Sequence, residues 1–359
     1  MTLRKTLIFY AICSVLVACN QSTGSNAKVT EDPPAEIIDS TDMTNNFYDN
    51  AETYSLPVKE LTVEGEISNP GKVDFSKLPL RSVVVKETLL DSSGSDKFKG
   101  AFRYDGYSLF DILNDRKLNK ANAEEFSPII DLYVEIVNDR GEKSVFSWGE
   151  IYYPNSLHRI ILATHVSRIV PSKTGDLWEL PTESKIVAGN DLITERNISS
   201  PVKIIVKSFP RSFSVNRGMT PLYSDKITLF ESEKETGELS AAPAQLNELT
   251  YNTIFYGRGK GIHSTEPFTG LLLKDLLSEY YSFTGENLRD GIMCITGKDG
   301  YRCAISYSEL FNRNDQQEFL LVETEKNEDG GLFRLFPAGD FFSDRAVKSI
   351  EGIYLVYPD

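Results

Sequence analysis

Apolar residues fall in short runs along this chain, and the runs recur in the same order. From Asp131 to Tyr153, DLYVEIVNDRGEKSVFSWGEIYY places two apolar-rich stretches around the polar break NDRG. That pattern predicts strand, four-residue turn, strand, and then a short helix. From Asp290 to Asn312, DGIMCITGKDGYRCAISYSELFN aligns with it without a gap. Gly141 and Gly300 end the two turns, where a positive φ is needed. Each second strand then runs into S-x-x-E, Ser147 with Glu150 and Ser306 with Glu309, the spacing of a capping box at a helix start.

Other elements repeat around this pair. Upstream, YDGYSLFDIL (Tyr104 to Leu113) matches FTGLLLKDLL (Phe268 to Leu277), a turn glycine followed by apolar residues at helical spacing. Downstream, VAGNDLITERNI (Val187 to Ile198) matches PAGDFFSDRAVKSI (Pro337 to Ile350), and in each an Asp precedes an Arg by five positions, Asp191 with Arg196 and Asp340 with Arg345. The β-rich runs PVKIIVKSF and IEGIYLVYP follow. Four elements in one order point to duplication. The chain reads as a first domain over 57–209, a linker over 210–225 and a second domain over 226–359, each α+β with a mixed sheet and short helices.

The N-terminus is different in kind. MTLRKTLIFYAICSVLVAC combines a short basic region with an apolar run of signal-peptide length and closes on Leu16-Val17-Ala18-Cys19, which resembles a bacterial lipobox. Residues 1–19 are therefore expected to be a lipoprotein signal ending at a lipidated Cys19, with 20–56, rich in Ser, Thr, Asn, Asp and Pro, as a flexible tether. The expected place is the bacterial cell envelope, with the membrane as a partner through the lipid anchor. Asn20 rather than Asp after the Cys points, by resemblance to that class, to the outer membrane.

Composition narrows the remaining chemistry. A formal net charge of −14, with the acids scattered, disfavours nucleic acid as a partner. Four cysteines, one in the signal and one acylated, leave Cys294 and Cys303, which is no disulfide scaffold. Across a four-residue turn these two would face each other, and a disulfide, two packed thiols and metal ligation all stay open. His158, His165 and His263 share no ligand-like spacing. GRGKG (Gly257 to Gly261) has the glycines and cations of an anion cradle but no P-loop ending, so a hairpin loop is the competing reading. ETEKNEDGG (Glu323 to Gly331) lacks the carboxylate alternation of a calcium loop.

The order of these segments resembles the oxidoreductase molybdopterin-binding domain, the sulfite-oxidase-like family. The residues that carry the resemblance are LTVEGEISNPGKVDFSKLP (Leu61 to Pro79), the two segments at Tyr104 and Phe268, the Asp299 to Leu310 hairpin and helix, and GGLFRLFPAGDFFSDRAVKSIEGIYL (Gly330 to Leu355). It implies two tandem sulfite-oxidase-like domains and a molybdopterin whose phosphate Arg334, Arg345 and Lys348 of the second copy would hold, a guanidinium fork suiting a phosphate dianion. The first copy keeps Arg196 but has Ser199 where Lys348 falls. The family's metal-ligating Cys has no counterpart in SVVVKETLLDSSGSDKFKG or LTYNTIFYGRGKGIHSTEP. Two readings follow: a binding or accessory lipoprotein without a cofactor, and an oxidoreductase that keeps molybdopterin in the second copy.

Overall fold

β-Branched and aromatic residues dominate the apolar runs, and the runs form strands. The computed structural model describes residues 52–155, 157–171, 174–324 and 331–358; the lipobox, Cys19, most of the tether and most of the 323–331 acidic loop lie outside them. In the first half the strands are β1 (Thr53–Ser55), β2 (Thr62–Gly65), β3 (Gly71–Lys72), β4 (Arg81–Leu90), β5 (Asp96–Ser108), β6 (Leu132–Asn138), β7 (Lys143–Ser147), β8 (Ile160–Arg168), β9 (Lys185–Ala188) and β10 (Pro201–Ser208). The helices there are α1 (Leu109–Leu113) and α2 (Trp148–Tyr152). In the second half they are β11 (Ile227–Glu231), β12 (Lys234–Leu239), β13 (Glu248–Tyr251), β14 (Phe255–Gly257), β15 (Gly261–Ser264), β16 (Phe268–Leu272), β17 (Ile292–Gly297), β18 (Arg302–Ser306), β19 (Phe319–Glu323), β20 (Phe333–Pro337) and β21 (Ile350–Val356), with α3 (Leu273–Leu277), α4 (Gly285–Asp290) and α5 (Tyr307–Phe311).

The two halves share one topology. One sheet runs β3-β2-β10-β6-β7 and its counterpart β12-β11-β21-β17-β18. In each a parallel pair falls at the same place, β10 with β2 and β21 with β11. The other sheet of each half runs β4-β5-β8-β9 and β13-β16-β19-β20, β1 being added beside β8 in the first. The described residues, from 52 to 358, belong to one compact unit. Where β6 and β7 meet β17 and β18, Tyr133, Val145, Phe209, Ile292, Cys294 and Ala304 form a core shared by both halves. Strands β17 and β18 are buried along their whole length, which is why their sequences do not alternate.

This architecture corrects the expected fold class. Strands make up 42% and helices 12% of the described residues, and four small sheets stand in a propeller-like ring, so the fold is a mostly β assembly and not an α+β tandem of sulfite-oxidase-like domains. The physical reason lies in the helical-looking segments. In YDGYSLFDIL the glycine and tyrosines belong to β5, and only Leu109–Leu113 turn helical, capped by Ser108. Helices of five or six residues cannot form the layer that an α+β sandwich needs, so each sheet finds its cover largely in other strands.

The hairpin turns bring a second correction. Gly300, at φ +77°, gives the β17–β18 turn a three-residue loop, and Ile295 pairs with Cys303 while Cys294 pairs with Ala304. The turn read from the sequence, closed by Gly297 and Gly300, encloses two residues where the structure has three, and a slip of one residue sends a side chain to the opposite face. Cys294 therefore packs in the shared core and Cys303 in the core of the second half, and both are free thiols. The β6–β7 turn repeats the same geometry around Gly141, φ +83°.

Candidate functional site

The repeated S-x-x-E and Asp–Arg motifs meet in one place. Helices α2 and α5 both start at the junction of the halves, β18 being in contact with β7 and α2. Ser147 caps α2 by accepting from the Glu150 N–H, and Ser306 caps α5 by accepting from the Glu309 N–H, each at 3.1 Å. Their hydroxyl protons go to the other copy: Ser147 Oγ donates to Glu309 at 2.6 Å, and Ser306 Oγ to Glu150 at 2.8 Å. Arg196 then bridges Asp191 (2.6 and 2.8 Å) to Glu150 (2.9 and 3.0 Å) and donates to Ser306. Arg345 bridges Asp340 (2.6 and 2.7 Å) to Glu309 (2.6 and 3.0 Å) and donates to Ser147. The result is a pseudo-symmetric cluster of two guanidiniums, four carboxylates and two hydroxyls, in which each helix cap is joined to the other copy's ion pair.

The full capping box forms only in the first copy, where Glu150 also accepts from the Ser147 N–H. In the second copy both Glu309 oxygens are drawn onto Arg345. Gly149 makes room for this packing, since a Cβ there would stand 2.5 Å from Arg345 Cζ.

Within the cluster two arginines face four acids, and Arg313, itself paired with Asp315, adds a positive field on Asp191, Glu309 and Asp340 from beside it. Burial works against both guanidiniums, but the paired carboxylates outweigh it and raise the pKa of Arg196 and Arg345. Among the acids, burial raises Asp191 and Glu150 against the pull of Arg196, and pushes Asp340 up to about 6 against the pull of Arg345. Glu309 behaves oppositely. Burial would raise it, but Arg345 and the Ser147 hydroxyl give it more donors than Asp340 has, and its pKa is lowered.

These contacts settle where the expected phosphate ligands lie. Arg345 is 1% exposed, and its five N–H bonds make five hydrogen bonds inside the protein. It has no donor left for a phosphate arriving from solvent, which corrects its expected role. Arg334 is half-buried on β20 opposite Val322, and Lys348 is exposed before β21. Burial raises both thiol pKa values, Cys294 and Cys303, and they point to opposite faces of a sheet. The resemblance implies a phosphate handle at Arg345 and a Cys thiolate for the metal; among the described residues Arg345 is taken up by carboxylates and the two thiols are buried, so these residues do not fit those two roles. We expect iodoacetamide to leave the peptides containing Cys294 and Cys303 unmodified in the native protein and to alkylate both after denaturation without reductant. Unalkylated, linked peptides after denaturation would contradict this.

The other candidates are held locally. His158 hydrogen-bonds Ser108 and faces Asp111 at 3.3 Å, His165 contacts Thr164, and His263 lies tilted against Phe255. GRGKG forms the tip of the β14–β15 hairpin, with Arg258 ion-paired to Asp344. A second buried pair escaped the sequence reading: Arg302 of β18 binds Asp131 of the first half at 3.0 Å, with Lys120 on the other Asp131 oxygen at 2.8 Å. Asp131 opens the very segment that showed the repeat, and a buried Arg on an otherwise apolar strand was the available signal. Beside the cluster a hollow of about 150 Å³ opens, lined by Ile129, Ile130, Trp148, Gly149, Tyr152 and Tyr153 of the first half and Arg258 and Phe342 of the second.

No helix among the described residues is long and apolar enough to cross a membrane. Compared with known proteins, the chain matches no family model and no curated sequence.

Proposed function

We propose that this protein is a lipid-anchored component of the bacterial cell envelope that acts by binding, as an accessory or ligand-holding protein. The observation that carries this reading is the use of Arg345. The residue best placed by sequence to hold a cofactor phosphate spends every donor on Asp340, Glu309 and Ser147, inside the junction of the halves. Such a cluster fixes the two halves in one register and leaves binding to the surfaces and hollows around it. The anchor rests on the lipobox-like LVAC ending at Cys19, and a single membrane-proximal lipidated terminus needs no spanning helix.

One preparation tests both parts. Expressed in a molybdenum-competent bacterium, the protein should take up labelled palmitate, lose it in Cys19→Ala, and carry neither stoichiometric molybdenum nor pterin fluorescence. Stoichiometric molybdenum would overturn the binding reading, and palmitate retained in Cys19→Ala would overturn the anchor.

A further inference from the structure

Strands β14 and β15 pair with each other and belong to none of the four larger sheets. Gly257 pairs with Gly261, whose φ of +76° lets a three-residue loop, Arg258-Gly259-Lys260, close the tip. A Cβ on Gly259 would meet nothing within 4 Å, so the tip stands clear of the rest of the protein. Duplication supplies the comparison. At the same place in the first copy's sheet, β4 joins β5 through Asp91-Ser92-Ser93-Gly94-Ser95, where the Asp91 carboxylate accepts from the Ser93 and Ser95 N–H groups at 2.8 and 3.0 Å. A polar turn held by its own Asp is enough for the fold there, and the second copy has a cationic tip instead.

The sides of this hairpin are unlike those of an ordinary surface ribbon, which keeps polar residues outward. Phe255 packs inward against Phe268 and Phe336, ring centroids 5.4 and 6.0 Å away, and fixes the hairpin to the second half. On the outside, Tyr256 and Ile262 are cross-strand partners, 39% and 61% exposed. Ile254 is 56% exposed, and Phe341, 49% exposed, lies 5.9 Å from Tyr256. Ile254, Tyr256 and Phe341 line one crevice, so the patch is continuous. Single exposed apolar residues are ordinary, but four gathered on one ribbon mark a contact surface.

Charge indicates what that surface meets. In a chain of net charge −14, residues 252–265 carry Arg258 and Lys260 and no acid. Arg258 is ion-paired with Asp344, and Lys260 is exposed at the tip. Aliphatic and aromatic side chains beside Lys and Arg are the composition of segments that lie in a membrane interface, whereas protein–protein contacts are depleted in lysine. We propose that the β14–β15 hairpin docks on an anionic phospholipid surface. Ile254, Tyr256, Ile262 and Phe341 enter the boundary between headgroups and acyl chains, and Lys260 meets lipid phosphates. This rests on the envelope reading above, because an anchor keeps the bilayer within reach and a weak contact then suffices. The hairpin sets which face of the protein is turned to the membrane.

Ile262→Trp puts a reporter on the exposed side of the hairpin. The full-length protein is mixed with vesicles of phosphatidylethanolamine and phosphatidylglycerol whose acyl chains carry bromine, and the parent, with Trp148 and Trp178 in the first half, gives the baseline. The added emission of Ile262→Trp should be lost on brominated vesicles and kept on unbrominated ones. Lys260→Ala in the same background should weaken docking about fivefold, the worth of one cation at an anionic surface. Emission that bromine leaves unquenched would overturn the proposal. A hairpin covered by a second copy would give that result together with a dimer that Ile262→Ser separates. Quenching unchanged by Lys260→Ala would overturn the part given to the tip cation. Palmitate uptake reads the anchor and quenching reads the hairpin, so the failure of one is distinct from the failure of the other.

Discussion

Replacing Arg345 with Met should cost the protein about 3–5 kcal/mol of stability, the usual toll when one partner of a buried ionic group is removed. The loss comes less from the missing attraction than from what remains: Asp340 and Glu309, both sealed from solvent, would face each other without a cation. Arg345→Lys should recover only a part of it, because one ammonium cannot supply five donors in a planar fork. Urea unfolding of the three proteins measures the effect. If Arg345 were held open for a phosphate, Arg345→Met would unfold within about 0.5 kcal/mol of the parent, as exposed substitutions do.

Acidification should stabilise the protein over a defined window, and Asp340→Asn should remove much of that dependence. Burial pushes the Asp340 carboxyl from 3.8 up to about 6. A group raised on folding contributes stability that is fully present below its unfolded value and lost as pH rises through the folded one. From about pH 5 to about pH 7.5 the Asp340 contribution should thus fall, by an amount on the order of 1 kcal/mol. Asp191 and Glu150, also raised by burial, act in the same sense. Glu309 is lowered, so its contribution is present above 4.5 and is lost only on further acidification, outside this window. Asp340→Asn keeps an oxygen acceptor for Arg345 and removes one of the excess charges, so the variant should stay folded near neutrality with a flatter pH profile. A pH profile unchanged by Asp340→Asn would show that Asp340 titrates normally.

Much of the fold's internal order could be read from the residues, and its interior chemistry could not. The gapless match of Asp131–Tyr153 with Asp290–Asn312 pointed to elements that now share strand order, turn geometry and helix start. The turn length was misjudged by one residue, because GKDG fits a two-residue and a three-residue loop equally, and only the pairing of Thr296 with Arg302 decides. Helix length was misjudged because spacing over ten residues does not show that the first half is strand. Arg345 misled for a different reason. A guanidinium that holds a phosphate and one that holds two carboxylates look alike in sequence, and the partners that distinguish them, Glu309 and Ser147, lie 36 and 198 residues away.

The central claim is that each copy's helix cap is tied into the ion pair of the other. A double-mutant cycle on Ser147→Ala and Glu309→Gln tests it most directly, because these side chains are 162 residues apart and meet at 2.6 Å. The account predicts a coupling of about 1 kcal/mol or more in urea unfolding, as for buried groups in one network. Additive losses, with coupling near zero, would contradict it.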